Sequence, residues 1–223
     1  MPIVQRVDHL LARATDRRVL HLGCTNAPYT AQSLADGSLL HLRLRAVARE
    51  LHGVDIDRAG LTMLEAGGVS HLHAGALADL TGALTAAGPF DVVIAGEIVE
   101  HLTDPGTFLR EVRAVMDPRS VLIVTTVNAY CGFRLVQYGV RGRGGHAEPV
   151  HPDHVAYYSQ ATLTRLLERT GFEVTGRWFY DVGVEHRPHL RRSLRVINAV
   201  LTWLAPQLAD GVIAECRIGA AGL

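Results

Sequence analysis

Short apolar runs closed by glycine, aspartate or asparagine recur along the chain, with amphipathic stretches between them. Such runs, bounded by turn formers, are the pattern of strands buried on both faces. By that criterion strands are expected at 19–22, 51–54, 90–95, 121–127, 172–178 and 211–218, with a weaker one within 69–80. The run FDVVIA is the clearest, because Gly88-Pro89 precedes it and Gly96 follows. Helices are expected at 1–18, read as one amphipathic segment, and within 33–49, where Leu39, Leu42 and Ala46 share a face while Arg43, Arg45 and Arg49 point away. A third spans 58–66 and ends at Gly67-Gly68. Asp104-Pro105 places a cap and then proline in a first turn, starting a helix to about 116. The remaining two are 159–170, from a serine to Gly171, and 194–208. Seven strands alternating with helices argue for a doubly wound α/β sheet.

A chain of 223 residues suits one domain, 1–223, with a substantial core. Arginine supplies every basic side chain, and Lys+Arg equals Asp+Glu at 22 each, so no bulk field draws the chain to nucleic acid or anionic lipid. Cys24, Cys131 and Cys216 are far apart and form no C-x-x-C pair, which argues against a disulfide framework or zinc ribbon and makes the reducing cytoplasm the default location. Gln5, Arg6 and Asp8 interrupt the apolar start, unlike the core of a signal peptide. The most apolar late stretch, 194–208, is broken by Asn198, Thr202 and Pro206, so no membrane span is expected.

The residues from Arg18 to Asp57 organise the rest. A buried strand turns sharply at Gly23, and the next strand ends at Asp55. Such a pair suits a nucleoside: backbone N–H groups approach the ligand at the turn, and the acid accepts hydrogen bonds from ribose hydroxyls. Taken together, VLHLGCTNAPYT, LHGVDID, FDVVIAGEIVEHLTDP and HPDHVAYYSQATLTRLLERTGFEV resemble the class I S-adenosylmethionine-dependent methyltransferases, in the right order and over 18–174. The resemblance implies a Rossmann-like seven-stranded sheet with its last strand antiparallel, and S-adenosylmethionine as cofactor. Its contacts would be Gly23, Cys24, Thr25 and Ala27 at the turn, Asp55 and Ile56 after the second strand, Ala76 and Leu77 (or Asp79) at adenine, and Gly96. The family's G-x-G-x-G reads Gly23-Cys24-Thr25-Asn26-Ala27 here, so two small side chains replace glycines where the backbone approaches the ligand. The Thr25 hydroxyl is a candidate donor to the cofactor carboxylate.

Two further clusters belong at the carboxyl ends of the strands. In a helix, Glu97, Glu100 and His101 would share one face at i, i+3 and i+4. His151-Pro152-Asp153-His154 comes later. The E-x-x-E-H arrangement with a later histidine is similar to two subfamilies, the ubiquinone-pathway O-methyltransferases and the small-RNA 3′-terminal 2′-O-methyltransferases. In the second, these residues hold a divalent ion on the hydroxyls to be methylated. The resemblance implies Glu97, Glu100, His101 and His154 as ligands, suited to magnesium, manganese or zinc. The alternative is that the glutamates bond backbone or arginine and the histidines line a metal-free pocket. His101 or His154 is then the general base, since imidazole titrates near the working pH.

The expected activity is methyl transfer to a small-molecule hydroxyl. An RNA 2′-O-methyltransferase is the second reading, disfavoured by balanced charge, and a non-catalytic binding protein of the same fold is the third. A nicotinamide dehydrogenase lacks its G-x-G-x-x-G here. The long segment 129–153, with Tyr130, Phe133, Tyr138, Arg141 and Arg143, reads either as a lid or as a surface loop that contacts a second subunit in a homodimer. The segment 181–210 is expected on the substrate side, and Arg187, Arg191, Arg192 and Arg195 as the solvated start of the last helix or an anion site.

Overall fold

The computed structural model describes residues 1–141, 153–181 and 192–219. Strands β1 (Ile3–Gln5), β2 (Arg18–Leu22), β3 (Glu50–Asp55), β4 (Leu72–Ala74), β5 (Val92–Gly96), β6 (Val121–Val127), β7 (Phe172–Asp181) and β8 (Gly211–Ile218) form one sheet. Their spatial order is β1-β7-β8-β6-β5-β2-β3-β4. Strand β8 runs antiparallel to β6 and β7, and every other pairing is parallel. The helices are α1 (Arg6–Ala14), α2 (Thr30–Ala35), α3 (Leu40–Arg45), α4 (Arg58–Ala66), α5 (Leu77–Ala87), α6 (Pro105–Ala114), α7 (Gly132–Arg141), α8 (Gln160–Arg169) and α9 (Arg192–Leu204), with a 3-10 turn at Pro206–Leu208.

Side chains alternate across the sheet, and each face buries its own set. Leu20, Leu22, Val93, Ala95, Leu122 and Val124 pack with Leu84 of α5, Leu109 and Val112 of α6 and Leu163 of α8. Val19, Val92, Ile94, Ile123 and Ile213 pack on the other side with Leu10 and Ala14 of α1 and Leu44 of α3. Helix α6 begins as its sequence dictates, the Asp104 side chain accepting from the Thr107 amide at 2.9 Å. A reciprocal Ser159–Thr162 capping box opens α8.

The sheet has eight strands where seven are expected. In place of one helix over 1–18, Ile3–Gln5 pairs with β7 in the register Ile3↔Phe179, and the Phe179 amide donates to Pro2 O at 3.1 Å. The open edge of β7 satisfies these backbone groups, which overrides the helical pattern of the side chains. The segment 33–49 breaks into α2 and α3 because Gly37 adopts φ +70° and the Asp36 carboxylate accepts from the Ser38 amide at 3.0 Å. The weak strand within 69–80 shrinks to β4, and α5 follows it. Its sequence, LADLTGALTAA, is apolar on nearly every side and hides the helical period. Half of the expected long loop is helix α7. Residues 142–152 and 182–191, with Arg143, His151, Arg187 and Arg191, lie outside the described residues. Arg192 and Arg195 fall in α9. Among the described residues no helix is long and apolar enough to cross a membrane.

The chain passes from β2 outward to β3 and β4, then returns to place β5 on the other side of β2. That reversal opens a crevice at the carboxyl ends of β2 and β5, where ligands of open α/β sheets bind.

Candidate functional site

A crevice of about 630 Å³ occupies this switch point, walled by the turn after β2, the tip of β3, the turn after β5 and residues 153–154. Of the expected cofactor contacts, Gly23, Cys24, Thr25, Ala27, Asp55, Ile56 and Gly96 line it. Ala76 and Leu77 do not, and Leu77 is instead buried in the core.

Gly23 takes φ +67°, and both its amide and that of Cys24 donate to Val54 O, at 2.9 and 3.2 Å. A β-carbon on Gly23 would meet Ile98 Cδ1 at 3.0 Å, so glycine serves both conformation and space. Asp55 organises the turn from across the strand. Its Oδ2 accepts from the Thr25 amide and hydroxyl, each at 2.9 Å, and its Oδ1 accepts from the Asp57 amide at 2.9 Å. The Thr25 hydroxyl is therefore committed to Asp55 rather than offered to a ligand. Ile56, beside this acid, is 77% exposed on the crevice wall and presents an apolar surface suited to a flat ring. The Cys24 thiol is pushed up to about 12 by burial first and the Asp55 charge second, which leaves it unreactive.

Beyond β5 the chain turns rather than entering a helix. Glu97 sits at φ +56°, its amide donating to Thr125 O at 2.9 Å, and the His101 amide closes the turn onto Ile98 O at 2.9 Å. The two glutamates consequently diverge. Glu97 accepts from the Tyr180 hydroxyl at 2.5 Å, with Thr125 Oγ1 at 3.4 Å. Glu100 is fully buried; its Oε2 accepts from Thr126 Oγ1 at 2.8 Å, while Oε1 has no hydrogen-bond partner. Burial, then the nearby Glu97 charge, raises the Glu100 carboxyl to about 8.

Glu100, His101 and His154 do converge: one ligand atom from each lies within 4.8 Å of the others. The two imidazoles meet edge-on, with centroids 4.6 Å apart. Glu100 O accepts from the Val155 and Ala156 amides at 2.8 and 3.2 Å, which holds His154 beside the turn. His101 Nδ1 lies 3.2 Å from Asp153 O. A carbonyl can only accept, so Nδ1 carries the proton and Nε2 a free lone pair. A buried carboxylate oxygen without a donor, beside two imidazoles, is a donor set that fits a divalent ion. Glu97 lies outside this group.

Two lining residues escape the sequence reading. Arg6, first in α1, enters the crevice near Gly96, its guanidinium carbon 6.0 Å from the Tyr180 ring centroid and its Nε buried without a partner. His21, in the middle of β2, is 2% exposed and lines the same end. Only the pairing of β1 with β7 sets Arg6 over this end of the sheet, and no local pattern signals it.

The fold and crevice define an α/β protein with a nucleoside-type site at its topological switch point. A methyltransferase-domain family model matches residues 3–176. A probable S-adenosylmethionine-dependent methyltransferase of Mycolicibacterium smegmatis is 32% identical over 174 residues, 77% of this chain and 57% of that protein. A ubiquinone biosynthesis O-methyltransferase of a Caulobacter species is 52% identical over 42 residues, 19% of this chain and 17% of the relative. A solved structure, the SAM-dependent methyltransferase from Archaeoglobus fulgidus, matches over 95% of this chain and 91% of its own, with TM-score 0.56 and 20% identity, and so shares the fold. The chain belongs to the methyltransferase-domain family. It spans a little over half the length of the M. smegmatis relative (57%).

Proposed function

We propose that this chain transfers a methyl group from S-adenosylmethionine to a hydroxyl of a small molecule. The observation that carries this reading is the continuity of one crevice from the Gly23–Asp55 turn to the Glu100–His101–His154 cluster. The family and the named O-methyltransferase relative support it. Bound S-adenosylmethionine supplies an activated methyl group. Gly23, Thr25, Ala27 and Gly96 would hold its amino-acid end, Asp55 its ribose hydroxyls and Ile56 one face of its adenine. The protein's own work is to align the acceptor and remove its proton. His101 is built for the second task, because its Nδ1–H is pinned to Asp153 O and Nε2 is left as a base. The segment 129–153 would help to position the acceptor, since its last residue, Asp153, and the adjoining His154 already form part of the crevice wall.

The unpartnered Glu100 Oε1 favours a second form of the same reaction, in which Glu100, His101 and His154 hold a divalent ion. Such an ion lowers the pKa of a bound hydroxyl. The decisive test is calorimetry with S-adenosylhomocysteine, followed by methyl transfer to a panel of phenolic acceptors with and without EDTA. Absence of binding at sub-millimolar ligand overturns the methyltransferase reading. Full activity in EDTA assigns the proton to His101 without a metal, and loss that added magnesium, manganese or zinc restores assigns the ion.

A further inference from the structure

At the closed end of the crevice, His21 and His41 form a buried imidazole pair. Their Nδ1 atoms lie 3.2 Å apart, the rings are stacked within 12°, and the two residues are 2% and 0% exposed. Two facing nitrogens at this distance share one proton. Neither ring is easily charged: burial, then His41, then Arg6 holds His21 well below its ordinary value, and burial with Arg45 lowers His41 to about 4.

The position of the shared proton follows from the far side of His41. Its Nε2 is buried with no hydrogen-bond partner. A buried N–H without an acceptor is rarer and costlier than a bare acceptor. His41 therefore keeps Nε2 bare and carries its hydrogen on Nδ1, donating to His21 Nδ1. A neutral imidazole holds one hydrogen, so His21 must carry its own on Nε2. With Nδ1 committed, that N–H is what His21 has left for the crevice it lines.

The neighbour of His21 on this wall is Arg6, whose guanidinium brings positive charge and a buried, unpartnered Nε. A neutral N–H donor beside an arginine suits a carboxylate and repels an ammonium. We propose that His21 Nε2–H and the Arg6 guanidinium form a carboxylate subsite for the amino-acid end of the cofactor, with His41 as the positioning residue that fixes the tautomer of His21. This deepens the methyltransferase reading and rests on it. It also supplies a contact in place of the Thr25 hydroxyl, which Asp55 occupies.

The test compares two ligands by calorimetry, S-adenosylhomocysteine and 5′-methylthioadenosine, which lacks the amino-acid end. His21→Leu and Arg6→Met are expected to weaken S-adenosylhomocysteine roughly ten- to hundredfold, the loss of a hydrogen bond to a charged group, and to leave 5′-methylthioadenosine unchanged. His21→Gln, which keeps an N–H donor, is expected to retain most of the affinity. His41→Phe is expected to show an intermediate, equally selective loss, and 15N NMR of the wild type to show His21 protonated at Nε2. Equal losses for both ligands, a His21→Leu variant that binds like wild type, or His21 protonated at Nδ1 overturns the proposal. If the wild type binds 5′-methylthioadenosine but not S-adenosylhomocysteine, this subsite fails while the nucleoside crevice stands. If it binds neither, the methyltransferase reading fails and the subsite falls with it.

Discussion

Tyr180 donates its hydroxyl to Glu97 Oε1 at 2.5 Å across 83 residues of sequence, joining the end of β7 to the turn that follows β5. The contact needs Gly211 on β8, where any β-carbon would overlap the Tyr180 ring. Tyr180→Phe removes the donor from a half-buried carboxylate at φ +56° and is expected to cost about 1–3 kcal/mol. For a domain of this size that lowers Tm by roughly 2–10 °C. Gly211→Ala displaces the ring and is expected to cost at least as much. Thermal unfolding of both variants checks the pair; a Gly211→Ala protein as stable as wild type contradicts the packing.

Asp55 holds three donors of the crevice wall, so its loss should be felt in binding before stability. Asp55→Ala is expected to weaken S-adenosylhomocysteine by at least a hundredfold, as a charged acceptor and the shape of the turn go together. Far-UV circular dichroism should remain that of the wild type.

At the other end of the crevice the expected split is reversed. Glu100→Gln and His101→Ala should lower kcat by about 10²–10⁴ while S-adenosylhomocysteine binds as before. Single-turnover methyl transfer on a confirmed acceptor provides the measurement. Equal loss of ligand binding in both variants would mean that the cluster supports the cofactor wall rather than the chemistry.

His41 gives the fold an acid-sensitive element. Its folded value, about 4, lies below that of the unfolded chain, so the unfolded state binds the proton first. The stabilisation is complete above about pH 6.5 and is lost as pH falls toward about 4, by about 3 kcal/mol in all. His21, lowered by burial, adds in the same direction. Urea unfolding of wild type and His41→Phe between pH 4 and 7 should show a shallower pH slope in the variant.

All three cysteines are buried. Cys24 is further silenced by its raised pKa of about 12. The native protein should therefore show no fast-reacting thiol toward DTNB at pH 8, and three after denaturation in guanidinium. A stoichiometric native reaction would mean that the turn after Gly23 opens readily.

Most of the sheet was legible because its central strands are apolar on both faces and end in turn formers; β6 and β8 fall at 121–127 and 211–218 as their patterns imply. Elements set by tertiary pairing were not. Ile3–Gln5 is too short to declare itself and becomes a strand only because β7 has an open edge. The spacing of Glu97, Glu100 and His101 suggested one helical face, but the left-handed backbone at Glu97 sends the first acid to Tyr180 and the second toward the histidines. Gly23 and Asp55 could be read from local sequence because turn and acid each follow a strand. Arg6 and His21 could not, since their proximity is a product of sheet order.

The backbone clamp of Glu100 O on the Val155 and Ala156 amides carries one more consequence. It anchors the imidazole of His154 independently of the interval 142–152, so insertions or deletions there can alter which acceptors gain access without dismantling the proton-abstracting group. Substrate range and reactivity are thereby separable in this chain, and grafting that interval from a relative is the direct way to change one while keeping the other.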